Sequence, residues 1–294
     1  MATYTSYDQV GIKEDISAII TNLSPTKTPG QTMIGSGKTK NRTHQWQEDS
    51  LASATASNAL VEGADASFAT LVATVMRSNT TQILGKSIQL SDTADVVDTY
   101  GRDKEAAYQL RKVSAELKRD LETILFGTSQ AAVTGDSSTA RKMANALPLI
   151  ASANKIAAGS TALSETHFMN AAVAAYNSGA EPSVLMVKPT DSTLIAAFSS
   201  ATGRLRDIGN GTELTMVIDV LRTPYGTYKV VLNRFQSTAT AFLLDPDMWK
   251  LISLRPWFRE TLAKTGDSVK MSVLGEYTLE HKAFAASGAI TGLT

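Results

Sequence analysis

The chain contains no cysteine. It therefore has no disulfide framework, no thiolate nucleophile and no sulfur-ligated metal. It also has no excess of either charge, with 28 Lys and Arg against 28 Asp and Glu. Proteins whose main work is gripping nucleic acid carry a basic surplus that releases counterions from phosphate. A container for nucleic acid remains compatible with neutrality, because it need only avoid repelling its contents. Weak like-charge repulsion also permits dense self-association. The apolar runs fall far short of a membrane span. The start, Met1-Ala2-Thr3-Tyr4, lacks the charged and then apolar pattern of a signal peptide. Synthesis and use in the cytoplasm, with no membrane partner, is the expectation.

Catalytic constellations are missing too. The histidines are His44, His167 and His281. No two have metal-ligand spacing, and no Glu accompanies a pair as in zinc hydrolases. No Gly-x-Ser-x-Gly elbow occurs. Asp245 and Asp247 flank Pro246 and read as a turn and helix cap. The expectation is a protein without catalytic residues, metal or cofactor. Gly35-Ser36-Gly37-Lys38-Thr39 resembles the end of a phosphate-binding loop, but Thr32 stands where the motif needs its first glycine. The preceding Ser24-Pro25-Thr26-Lys27-Thr28-Pro29-Gly30 cannot be a central strand.

What is present suits a building block. A chain of 294 residues, 43% hydrophobic, can bury the core of one large domain or two lobes. Residues 1–40 read as an extended arm or a disordered terminus, with a short helix near Lys13–Ile20 and with Pro25 and Pro29 as breakers. Thr43–Leu51 reads as a strand with His44 and Trp46 on one face and Gln45 and Gln47 on the other. A small-residue run over 52–67 follows. A second strand is expected from Phe68 to Gln82, which makes a long hairpin. A ribbon with so little apolar surface is marginal alone, so it must lie on its own domain or on a neighbouring subunit.

Tyr100–Phe126 is the clearest helix. Leu110, Val113, Leu117, Leu121 and Ile124 form one stripe suited to packing on a sheet, and the helix would span roughly 40 Å. Its other face carries Arg111, Lys112, Glu116, Lys118, Arg119 and Glu122. Lys112–Glu116 and Lys118–Glu122 are spaced to pair, and Gly127 ends the helix. A second helix is expected over Ser164–Ser178, capped by Ser164, with Phe168, Ala171, Ala172 and Ala175 inward. Strands are expected at Val184–Val187, Thr215–Val220, Tyr228–Leu232 and Ala241–Leu244, and from Val269 toward Leu279. A helix follows Pro189, and Thr223-Pro224-Tyr225-Gly226 is a turn. The class is α+β, with an inserted lobe over about Lys188–Ser237. Trp249 and Trp257 read as core residues. Trp46 can contact either its own chain or another copy.

The order of certain words carries a resemblance. Asp245-Pro246-Asp247-Met248-Trp249-Lys250-Leu251 is followed by Leu254-Arg255-Pro256, Leu262-Ala263-Lys264-Thr265-Gly266-Asp267-Ser268 and Gly275-Glu276-Tyr277-Thr278-Leu279-Glu280. With Leu232-Asn233-Arg234, His44-Gln45-Trp46 and the Glu116–Glu122 segment, this tract resembles the major capsid proteins of tailed bacteriophages with the Hong Kong 97-like fold.

The resemblance implies an N-terminal arm (1–40) and an extended two-stranded loop (41–85). It implies a peripheral domain (86–187) with a spine helix at 100–127, an axial domain (188–237), and a return to the peripheral domain with the C-terminal strands (238–294). It also implies hexamers and pentamers of this chain in an icosahedral shell around double-stranded DNA, held by non-specific contact and assembled in the bacterial host cytoplasm. Portal, scaffolding and decoration proteins are the other implied partners. Some relatives carry a cleaved scaffolding segment before the arm; this sequence shows none, which suggests a separate scaffolding protein or a mature form. Contacts between copies are expected at His44, Trp46, Glu48, Asp49, Phe68 and Arg77 on the ribbon, and at Arg204 and Arg206 in a Gly-containing loop. Three rivals remain: an encapsulin-like compartment shell, a P-loop nucleotide hydrolase, and another self-assembling phage part such as a tail tube.

Overall fold

The computed structural model describes residues 26–63, 65, 68–97, 104–198 and 220–294. In chain order the elements are α1 (Pro29–Met33), β1 (Gly35–Lys38), β2 (Thr43–Glu48), β3 (Val75–Thr80), β4 (Gln82–Ser91), α2 (Asp92–Val96), α3 (Glu105–Glu122), β5 (Lys155–Thr161), α4 (Glu165–Asn177), β6 (Val184–Val187), α5 (Ser192–Ala197), β7 (Val220–Thr223), β8 (Gly226–Leu232), β9 (Thr240–Leu244), β10 (Trp249–Thr261), β11 (Ser268–His281) and β12 (Gly288–Leu293). They form a four-stranded sheet, order β1-β10-β11-β4, a six-stranded sheet, order β5-β12-β9-β6-β8-β7, and the ribbon β2-β3.

Periodicity explains the six-stranded sheet. Along β6, Val184 and Met186 enter one core while Leu185 and Val187 enter another, as alternation across a strand requires. On β9, Phe242 and Leu244 join the first core, and Ala241 and Leu243 the second. Helix α4 covers the second face with Phe168, Ala171 and Ala172. The Ser164 side chain caps α4 by accepting from the His167 N–H. The small alanines let helix and sheet approach closely. Helix α4, β6, α5 and the Thr223–Gly226 turn agree with the sequence reading. The part of the expected strand over 215–219 and the expected helix at 13–20 lie outside the described residues.

Helix α3 lies on the four-stranded sheet, with Val113 and Leu117 packed against Val273 and the flanking Ile88 and Trp257. Its charged side is not wholly solvated. Lys86 of β4 reaches Asp120 (2.7 Å) and Glu116 (3.3 Å), so Glu116 has a sheet partner. The helix runs on into a π-helical turn, Thr123–Gly127. The extra residue shifts the apolar face, and Leu125 and Phe126 are both buried. The 18 residues of α3 span about 27 Å, less than the sequence reading assigned to 100–126.

The structure refines or corrects four readings. First, β7 and β8, the described strands of the segment 188–237, are the edge of the sheet that holds β5, β6, β9 and β12. Second, the ladder expected over 68–82 is confined to Val75–Thr80 in the ribbon; the chain then crosses at Thr81 into β4 of the main sheet. Third, Glu122 is fully buried, not on a solvated face. It accepts from Gly30 N–H (2.7 Å), Gln31 N–H (3.0 Å), Gln31 Nε2 (3.1 Å) and Asn233 Nδ2 (2.8 Å). The N-cap Thr28 makes no side-chain cap, so a remote carboxylate takes that role. Fourth, Gly35–Lys38 is an edge strand parallel to β10, paired with Lys250–Ser253. Helix α1, not a strand, precedes it. A Cβ at Gly37 would strike Ile252, so this glycine serves close packing, and the phosphate-loop reading fails.

The long strand β10 was not legible in the sequence because Pro256 interrupts it. Its register breaks between Arg255 and Phe258, and a bulge tolerates a residue without an N–H.

Candidate assembly site

The ribbon presents one face to the body. His44, Trp46 and Glu48 alternate with exposed Gln45 and Gln47 on β2, as the period-2 reading expects. Pairing sets His44 opposite Asn79, Trp46 opposite Arg77, and Glu48 opposite Val75. His44 Nε2 lies 2.7 Å from Glu280 Oε2. Glu48 Oε2 accepts from Arg77 Nε (2.6 Å), and its Oε1 accepts from the Phe284 N–H (2.9 Å). The Arg77 guanidinium sits 4.3 Å from the Phe284 ring centroid. Trp46 stacks on His44 at 5.6 Å and leans on Phe284 at 6.4 Å. The structure thus gives His44, Trp46, Glu48 and Arg77 partners within their own chain. Arg204 and Arg206 lie outside the described residues.

Behind this face is a second, buried layer. Glu276 accepts from Arg141 Nη2 (2.6 Å), Arg255 Nε (3.0 Å) and the Thr81 hydroxyl (2.7 Å). Two guanidiniums balance a carboxylate that is 3% exposed, which is the condition for burying such a charge. Asn79 is buried too. Sequence reasoning missed Asn79, Thr81, Glu280 and Phe284 as ribbon anchors. Their partners are remote in sequence, and nothing local marks the pairing.

Beyond the anchored base, residues 49–74 contain no strand or helix among those described. Their large apolar side chains stand in water: Leu51 is 99% exposed, Phe68 96%, Leu71 92% and Val72 85%, with Leu60 and Val61 close behind. Asp49 is also exposed. Burying such a side chain fully is worth about 1.5–3 kcal/mol. The arrangement is a fixed base with a loop whose burial partners its own body does not supply.

No group of His, Asp and Glu among the described residues can hold a metal. A Ser–His contact does occur, Ser287 Oγ to His281 Nε2 at 3.2 Å. Both residues are fully buried. The His281 Nδ1 faces the Leu149 carbonyl (2.8 Å), the Trp249 indole donates to Ser287 Oγ (2.9 Å), and Trp249 stacks on the imidazole at 3.8 Å. Burial pushes this imidazole down to about 4. The neutral ring is packed in the core, where no substrate reaches it.

The comparisons with known proteins agree with this geometry. The major capsid protein of Escherichia phage Phieco32 is 29% identical over 338 residues, covering 98% of this chain and 96% of that protein. The capsid of a native GTA particle superposes with a TM-score of 0.71 at 10% identity, covering 98% of each chain. The SrpI encapsulin of Synechococcus elongatus PCC 7942 shares the fold at a TM-score of 0.65 and 9% identity, covering 100% of this chain and 96% of that one. At such identities the two structures speak for the Hong Kong 97-like fold alone. The SU10 major capsid protein model matches residues 2–294. The chain belongs to that family and is a tailed-phage major capsid protein.

Proposed function

We propose that copies of this chain form hexamers and pentamers that close into an icosahedral head around double-stranded DNA. The reading extends to assembly in the host cytoplasm, to portal and scaffolding proteins as partners, and to decoration proteins on the finished shell. It also extends to the segment roles that the family resemblance implies: 86–187 with 238–294 at the periphery, and 188–237 near the symmetry axes. The observation that carries the reading is the exposed apolar loop over 49–74 on a pinned ribbon base. Each contact between copies can be weak because a closed shell makes many at once. Phe68 and Asp49 remain the ribbon residues best placed for such contacts, since both face solvent. DNA contact is non-specific in this reading, in keeping with zero net charge.

Deletion of residues 52–66 tests it. The expected product is a soluble subunit with unchanged circular dichroism and no closed particles by electron microscopy. Normal particles from the deletion refute the loop's role.

A further inference from the structure

We infer that Asn79 is a positioning residue that fixes the direction in which the ribbon leaves the body, and through it the geometry of the shell. The inference rests on the self-assembly reading above.

Asn79 is the penultimate residue of β3 and is 1% exposed. Its Nδ2 donates to the Leu279 carbonyl (2.7 Å) and the Ala144 carbonyl (3.0 Å). Its Oδ1 accepts from the Ala144 N–H (2.8 Å) and the Thr80 N–H (2.8 Å). Both donors and both acceptor sites of the amide are therefore used. The bonds with Ala144 are reciprocal, so they fix the plane of the amide as well as its distance. The bond to Leu279 ties the same group to β11. One side chain thus joins the ribbon to a loop and to the main sheet.

Position in the chain makes this a pivot. Thr81 alone separates β3 from β4. Its N–H donates to the Arg42 carbonyl (2.8 Å) and closes the ribbon base. The ribbon's other ties to the body are His44–Glu280, level with Asn79, and, farther out, Glu48 and Trp46 on Phe284. The His44–Glu280 pair is partly exposed and screened by solvent, so it constrains the tilt weakly, and Arg77–Glu48 joins the two ribbon strands to each other. The fully satisfied amide lies in a medium of lower dielectric, where its hydrogen bonds are stronger. Leverage amplifies any slack. An extended arm reaching on the order of 40 Å past the pivot moves its tip about 3–4 Å for a tilt of about 5°. That is more than a hydrogen bond or a packed side chain tolerates.

The test compares Asn79→Ala with Gln236→Ala. Gln236 is also a buried amide and donates to two carbonyls, those of Met186 and Thr240, in the six-stranded sheet. Nitroxides on Asp49→Cys and Glu181→Cys report the ribbon angle in unassembled subunits; the absence of native cysteine makes these the only thiols. Particle diameters are read by electron microscopy. We expect Asn79→Ala to broaden the distance distribution and to lose the single particle diameter, giving open or mixed-size shells. Gln236→Ala should keep the width and the diameter even where it lowers the melting temperature. An unchanged distribution and diameter for Asn79→Ala overturn the inference, as does the same loss in Gln236→Ala. If Asn79→Ala is insoluble, the isosteric Asn79→Asp, which loses both donors, is read by the same criteria. Failure of the unsubstituted chain to form shells counts against the self-assembly reading instead.

Discussion

Replacing Glu122 by Gln probes the junction that ties the N-terminal segment to the spine helix. The carboxylate takes two hydrogen bonds on Oε1, from Gly30 and Asn233, and two on Oε2, both from Gln31. Glutamine keeps one oxygen and turns an NH2 group toward two donors. Each hydrogen bond to a charged acceptor contributes about 1.5–3 kcal/mol. Losing two of them, with donors left facing a donor, therefore costs about 3–6 kcal/mol. Relief of the buried charge offsets part of this. Burial raises the Glu122 carboxyl above its usual range although its four donors pull it down, so the offset is real, and a net loss of about 2–4 kcal/mol remains. Urea unfolding of unassembled subunits measures it. Hydrogen exchange locates it, because the Gly30 and Gln31 amides should lose protection before the β6 and β9 amides. Stability within about 0.5 kcal/mol of the parent, with both amides still protected, refutes the reasoning.

Gly30→Ala should act on the same junction, since a Cβ there would overlap the Phe126 ring and crowd Glu122; overpacking costs about 1–3 kcal/mol, and a melting temperature equal to the parent's would contradict it. Trp46→Ala should lower subunit stability by about 1–2 kcal/mol through lost contact with His44 and Phe284; an assembly defect without any stability loss would instead place its main partner on another copy. His281 should make the subunit acid-sensitive. Its folded pKa, about 4, lies below the ordinary 6.5 because of burial, so the neutral ring's stability is present above about pH 6.5 and is lost as pH falls toward 4. The full difference is about 3 kcal/mol, and His281→Gln should flatten that part of the stability–pH curve measured by urea unfolding.

Local pattern was enough for much of this fold. The stripe Val113, Leu117, Leu121 fixed the buried side of α3. Ser164 with Phe168, Ala171, Ala172 and Ala175 defined α4 down to its inward face, and the alternation from His44 to Gln47 fixed which side of the ribbon is covered. Each is a periodic signal that a short window contains. The Asp245 to Glu280 words carried the family, and neutrality with no cysteine removed several classes of function.

Other features were decided only when distant segments met. Glu122 looked like one more charge on a solvated helix face until α1 and Asn233 arrived beside it. The Gly35–Lys38 segment became an edge strand because β10 offered it a ladder, and β10 itself runs through Pro256 by means of a bulge. Asn79 meets Leu279 across 200 residues of chain. Hydrogen bonds and burial depend on what packs against a group, not on what precedes it, so sequence determined the periodic elements while tertiary structure decided which polar side chains hold the ribbon in place.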